Sequence, residues 1–160
     1  MVEGRVVGIA EFKTARSPEC LSAYGLGSCV GVTLYDPGQK IGGFAHVMLP
    51  SSRLHTEITV PGKYADTALE ALLVELKRDG ANLKDLEAKL VGGANMFEAI
   101  AQHAVPVGLR NVSAVREKLQ EHSIPVIAED VGGTRGRTVV FHLEDGRIEV
   151  KKLNQESHWF

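Results

Sequence analysis

Two short runs of β-branched and apolar residues, 28 to 35 (SCVGVTLY) and 41 to 49 (IGGFAHVML), are separated only by Asp36-Pro37-Gly38-Gln39-Lys40. Runs of this length bounded by Gly, Pro and Asp read as strands. Pro37 presets φ for the first central position of a turn and Gly38 tolerates positive φ at the second, so the segment reads as a hairpin. On that turn Asp36 faces Gln39 and Cys29 falls directly opposite His46, both side chains on one face. Directly opposed residues hold their Cβ atoms about 4.5 to 5.5 Å apart, within reach of a thiol to imidazole hydrogen bond. A one-residue slip would put them on opposite faces. Type II turns match hairpin twist poorly and the flanking glycines admit bulges, so register is the point on which the pairing turns.

The rest of the chain alternates less regularly. Residues 5 to 12 (RVVGIAEF) read as a further strand. Between Gly62 and Lys77, Ala65, Leu69, Leu72, Leu73 and Leu76 recur at helical spacing, with Pro61 before and Gly80 after the stripe. A second helix is expected to open at Asn111 as cap and to bury Val112, Val115 and Leu119, and a third to cover 94 to 103. Beyond Pro125, PVIAED, RTVVFHLE and RIEVKKL are strand-like, the last two joined by an Asp145-Gly146 hairpin signal. Strands at both ends with helices between them predict an α+β fold with mixed or antiparallel sheets.

With 160 residues, 44% of them hydrophobic and 24% charged, the chain is long and apolar enough for one domain spanning 1–160, with 1–4 and 154–160 as loose ends; Trp159 and Phe160 are the tail residues able to dock. A net charge of −2 lacks the basic footprint that nucleic-acid backbones require. The N-terminus has neither the basic start nor the apolar run of a signal peptide, and no apolar stretch approaches the ~20 residues of a membrane span. These features predict a cytoplasmic chain in which the two cysteines, Cys20 and Cys29, are free.

The chemistry concentrates at Gly25-Leu26-Gly27-Ser28-Cys29-Val30-Gly31 and at Gly42-Gly43-Phe44-Ala45-His46. A free thiol is mostly protonated at neutral pH, and a neighbouring imidazole can take its proton and later return one to a leaving amine. Glycines beside the thiol let substrate approach the backbone and leave amides for an oxyanion. Taken singly, a cysteine in an apolar strand most often packs a core and a histidine most often satisfies a structural bond; the residues alone leave acyl transfer and core packing both open. The glycine run lacks dinucleotide spacing, Ser28 lacks a nucleophile elbow, and Cys20, Cys29, His46 and His55 lack zinc spacing, so no metal and no cofactor are predicted.

The segments GLGSCVGVTLYDP, GGFAHVMLP, VGGANMF and EDVGGTRGRTVVFHLEDGR resemble the chemoreceptor glutamine deamidase CheD family over about residues 5 to 153. The resemblance implies a layered β-sandwich flanked by helices, similar to the catalytic domain of cytotoxic necrotizing factor. It implies Cys29 as nucleophile and His46 as catalytic histidine, acting through a thioester on glutamines of methyl-accepting chemotaxis receptors, and a CheC-type phosphatase as a second partner. An adaptor that only regulates such a phosphatase is the alternative. The family's third member is commonly a threonine a few residues before the cysteine, where this chain reads Ser22-Ala23-Tyr24. Ser22 or a backbone carbonyl is then left to orient His46. Gly27 and Ser28 are candidates for receiving the oxyanion. Gly92, Gly93, Gly132 and Gly133 are turn glycines or line the substrate cleft, and Arg135 and Arg137 either solvate a surface or attract acidic receptor helices.

Overall fold

The computed structural model describes residues 4–53, 59–96 and 105–160. Along the chain these form β1 (Arg5–Val6), β2 (Phe12–Arg16), β3 (Cys20–Leu26), β4 (Val30–Asp36), β5 (Ile41–Val47), α1 (Ala65–Arg78), β6 (Glu87–Gly92), α2 (Val107–Glu121), β7 (Val126–Val131), β8 (Arg137–His142), β9 (Ile148–Lys152) and β10 (His158–Trp159). One sheet has the order β1-β3-β8-β9-β10 and the other β2-β5-β4-β6-β7. The β1–β3 and β6–β7 pairs are parallel and the rest antiparallel.

Strand periodicity explains the layering. Val30, Val32 and Leu34 alternate with Gly31, Thr33 and Tyr35, and the first set joins Ala45, Val47, Leu69, Leu72 and Val112 in a core between the second sheet and the helices. Tyr35, Phe44 and Val91 project the other way and meet Leu21, Leu26, Val139 and Phe141 between the two sheets. The fold is therefore α+β with three layers: sheet, sheet, helices.

Helix α1 begins at Ala65, three residues later than the apolar stripe predicts, because Pro61–Lys63 form a 3-10 turn first. It ends as Gly80 at φ +99 lets its N–H reach the carbonyl of Lys77 while Ala81 N–H reaches that of Leu76, a Schellman closure. Helix α2 opens at Val107 behind Pro106 and not at Asn111, which lies one turn inside and on the buried stripe with Val112, Val115 and Leu119. The helix expected over 94 to 103 lies mostly outside the described residues, and Ala94, Asn95 and Met96 have no regular structure.

The expected strand over 5 to 12 is two strands in different sheets. Ala10 at φ +65 turns the chain, and residues 7 to 11 cross from one sheet to the other. The last residues, expected as a loose end, pair as β10 with β9, while Ile148 and Phe160 exchange backbone hydrogen bonds.

The hairpin between β4 and β5 has a different turn from the expected one. Asp36 takes the N–H groups of Gly38 and Gln39 on Oδ1 at 3.0 and 3.3 Å, and Lys40, at φ +52, donates its N–H to the Asp36 carbonyl at 2.8 Å. The loop is thus Pro37–Lys40, the closing pair is Asp36↔Ile41, and Gly31 stands opposite His46. The aspartate's capture of two turn amides outweighs the two-residue turn, whose twist fits strands poorly. A displacement of two residues preserves sidedness, so Cys29 and His46 share the face toward the other sheet as diagonal neighbours.

Candidate active site

Cys29 is half-buried, at the entry to β4, and its side chain packs against the apolar cluster between the sheets. The three carbonyls around it are each held by a donor. Ala94 N–H bonds Gly27 O at 2.8 Å and Gly93 N–H bonds Cys29 O at 2.9 Å. Asn111 Nδ2 donates to Ser28 O at 2.9 Å and also to Met48 O at 3.1 Å. The N–H groups of Gly27 and Ser28 donate to no carbonyl or side chain among the described residues, and that of Cys29 is directed at its own sulfur. A loop fixed by its carbonyls, with two amides left without an acceptor among the described residues, keeps donors available for an oxyanion.

His46 is gripped by the crossing segment. Its N–H bonds Glu11 O at 2.9 Å, its carbonyl takes Ala10 N–H at 3.0 Å, and its Nδ1 lies 3.1 Å from Val7 O. A carbonyl only accepts, so Nδ1 carries the proton and Nε2 keeps its lone pair. Nε2 is buried and without a hydrogen-bond partner among the described residues. Burial holds the imidazole below its usual pKa, against smaller opposing effects of the Val7 carbonyl and Glu11. Burial likewise pushes the Cys29 thiol up, with its own N–H opposing.

Both groups therefore rest neutral, and no hydrogen bond joins them in this structure. Gly31, directly across from His46, has no Cβ, and one placed there would stand 2.8 Å from the Phe44 ring. The bare position makes room for the Phe44 ring and the Leu26 side chain, which pack over it.

The directly opposed cysteine and histidine are instead Cys20 and His142, with Sγ 3.3 Å from Nδ1. Cys20 is 5% exposed, and burial, with Glu144 and Asp145 adding to it, raises its pKa. It is less accessible than Cys29.

A family profile described as CheD chemotactic sensory transduction matches residues 48–152. The "Chemoreceptor glutamine deamidase CheD" of Thermotoga maritima is 46% identical over 93% of this chain and 92% of its own length. The "Probable chemoreceptor glutamine deamidase CheD" of Caldanaerobacter subterraneus subsp. tengcongensis is 47% identical over 92% of this chain and 91% of its own. The chain belongs to the CheD family. Among solved structures, the Bacillus licheniformis hypothetical protein YfiH is similar at 17% identity and a TM-score of 0.48, over 77% of this chain and 51% of that one.

The CheD profile begins after both Cys29 and His46, whereas the alignments with the two CheD relatives are long enough to take in both. The Ser22 hydroxyl, a candidate to orient His46, points to Gly4 O at 3.5 Å and hydrogen-bonds neither Cys29 nor His46. The Ser22 carbonyl instead accepts Val7 N–H at 2.7 Å and so holds the residue that orients His46.

Gly92, at φ +108, presses on the cysteine loop: a Cβ there would lie 2.4 Å from Cys29 O. One at Gly93 would lie 2.4 Å from Val112 Cγ2. These two glycines shape the back of the loop. Gly132 N–H bonds Gly92 O at 2.9 Å, and Gly133 O accepts Asn95 N–H at 2.8 Å, one step further out. Arg137, expected at the surface, is 3% exposed and paired with Asp130 at 3.2 Å, which joins β8 to β7 across the sandwich; Arg135 is exposed. Sequence reading missed Val7, which acts through its backbone, and gave Asn111 the wrong task. A polar residue on the apolar stripe of α2 was the signal for the second.

Beside the loop, Ser28, Ala94, Met96, Pro106 and Val107 line a cavity of about 150 Å³. A groove of about 860 Å³ runs from Gly25 and Met96 to Lys151, Lys152 and Leu153. No helix among the described residues is long and apolar enough to cross a membrane.

Proposed function

We propose that this chain deamidates glutamine side chains of methyl-accepting chemotaxis receptors, with Cys29 as nucleophile and His46 as general base and acid. The observation that carries the reading is the cysteine loop: its carbonyls are held by donors and its Gly27 and Ser28 amides have no acceptor among the described residues, while Cys29 shares its face of the sheet with an imidazole whose Nε2 lone pair has no partner there. The names of the relatives support the substrate class.

Rotation about the Cys29 side chain brings the thiol to His46 Nε2, which takes its proton as sulfur attacks the carboxamide carbon. The oxyanion is received by the Ser28 and Cys29 amides. Its collapse breaks the C–N bond, and the imidazolium returns the proton to departing ammonia. Nε2 then draws a proton from water, whose oxygen attacks the thioester, and glutamate leaves as the thiol reforms. Burial disfavours both the thiolate and the imidazolium, which favours proton transfer during attack over a resting ion pair.

The groove beside Gly25, lined by Lys151, Lys152 and Arg137 against one acidic residue, Glu156, and by the apolar Met96 and Leu153, suits an amphipathic receptor helix with acidic flanks. A CheC-type phosphatase partner and a cytoplasmic location complete the reading on the family resemblance. Incubation with a receptor cytoplasmic fragment tests it: peptide masses should change as an amide NH2 becomes OH, and His46→Ala should lose at least ~100-fold in rate. An unchanged receptor with wild-type protein overturns the reading.

A further inference from the structure

We propose that Asn111 is a positioning residue for the reaction: its side-chain amide sets the Cys29 sulfur against the His46 imidazole by tying together the chain segments that carry them. The inference rests on the roles assigned above to Cys29 and His46.

Asn111 is fully buried on the stripe of α2 that otherwise presents Gly108, Val112, Val115 and Leu119. Its two N–H bonds go to two different strand ends. Ser28 O, at 2.9 Å, belongs to the peptide bond that enters Cys29; Met48 O, at 3.1 Å, lies two residues beyond His46. Continuing the register of Val30↔Val47 by one residue sets Met48 across from Cys29. One amide group therefore spans the open end of the hairpin at the level of the nucleophile, where strand pairing has stopped.

Two features separate this arrangement from ordinary core packing. Asn111 Oδ1 is buried without a partner among the described residues, so the position carries an unsatisfied acceptor there that an apolar residue on the same stripe would avoid. The carbonyls on either side of Ser28 O are fixed by backbone donors from the β6 end, Ala94 and Gly93. Ser28 O and Met48 O are the ones left to a side chain, and α2 supplies it. The Cys29 to His46 geometry is thus transmitted from a helix that contributes no reacting group.

The test is a double-mutant cycle read on Cys29 itself: the rate of Cys29 alkylation by iodoacetamide at neutral pH, mapped by mass spectrometry. It is measured in wild type, Asn111→Ala, Asn111→Ser, His46→Ala and each Asn111 variant combined with His46→Ala. His46→Ala should slow alkylation about 10-fold or more by removing the base. Asn111→Ala should slow it comparably in the wild-type background and hardly further once His46 is absent, because the two act on one alignment. Asn111→Ser, which keeps one donor, should recover part of the rate.

Equal slowing with and without His46 overturns the proposal, as does an Asn111→Ala protein that alkylates like wild type. Failure of both Asn111 variants to fold makes the residue a stability element and also overturns it. Alkylation indifferent to His46 is a distinct outcome: it removes the base assignment, and this inference with it.

Discussion

His46 donates its Nδ1–H to the carbonyl of Val7 at 3.1 Å. That bond comes from the segment that crosses between the sheets, so main chain orients the ring. It also leaves the lone pair on Nε2, the nitrogen that the proposed reaction uses.

A pH dependence follows. Burial disfavours the imidazolium, so His46 titrates below the ordinary histidine value of about 6.5. Only the neutral ring accepts the thiol proton; activity is present above its pKa and lost as pH falls through it. A profile of kcat/KM between about pH 5 and 8 should show its acid limb below about 6.5. A limb centred above that value contradicts the assignment.

Gly92 and Gly132 both have positive φ, at +108 and +80, and differ in what surrounds them. A Cβ at Gly92 would stand 2.4 Å from Cys29 O, whereas one at Gly132 meets nothing within 4 Å. Gly132→Ala should cost only the backbone strain, about 1 to 2 kcal/mol, and keep its turnover. Gly92→Ala should cost more than about 2 kcal/mol and displace Cys29, with deamidation falling by at least ~10-fold. Urea melts beside rate measurements distinguish the two, and equal activities would contradict the role given to Gly92.

How far the sequence carried the account depended on whether a feature was local. The α1 stripe, the strands from Val30 to Val47 and the Asp145-Gly146 return were legible because their periods and turn residues are adjacent in the chain. β3 and β6 were not: CLSAYGL is interrupted by a register shift between Ala23 and Leu26, and EAKLVG alternates only from Glu87 to Leu90 before staying buried to Gly92. The shared face of Cys29 and His46 was readable, but its register was not, because it hangs on the Asp36 side chain capturing two turn amides. Val7 was invisible for a different reason: a backbone carbonyl leaves no mark on residue identity. Asn111 was visible as a polar residue and misread as a cap, since nothing local shows that Ser28 O and Met48 O lie above it.

Arg137 links the sheets through Asp130, which Lys152 and His158 also approach, at 3.2 and 3.1 Å. Arg137→Met should destabilise the protein by about 3 kcal/mol, the low end for breaking a buried pair because Asp130 keeps its other partners. The KM for receptor fragment should be little changed. Full stability with a raised KM would instead mean that Arg137 serves receptor docking.

The thiols should differ in a defined order. Cys29 is half-buried and Cys20 almost wholly so, and burial raises both. Cys29 should be alkylated first, and in His46→Ala its rate should still be climbing above about pH 8.5, the ordinary thiol value. A plateau below neutrality in that variant would mean a thiolate stabilised by something other than His46.

The most direct measurement is an acid quench of the protein turning over a receptor fragment, followed by intact-mass analysis. The account predicts a transient adduct on Cys29 equal to the fragment less ammonia, absent in Cys29→Ser along with all glutamate formation. Conversion of glutamine by the Cys29→Ser protein would contradict it.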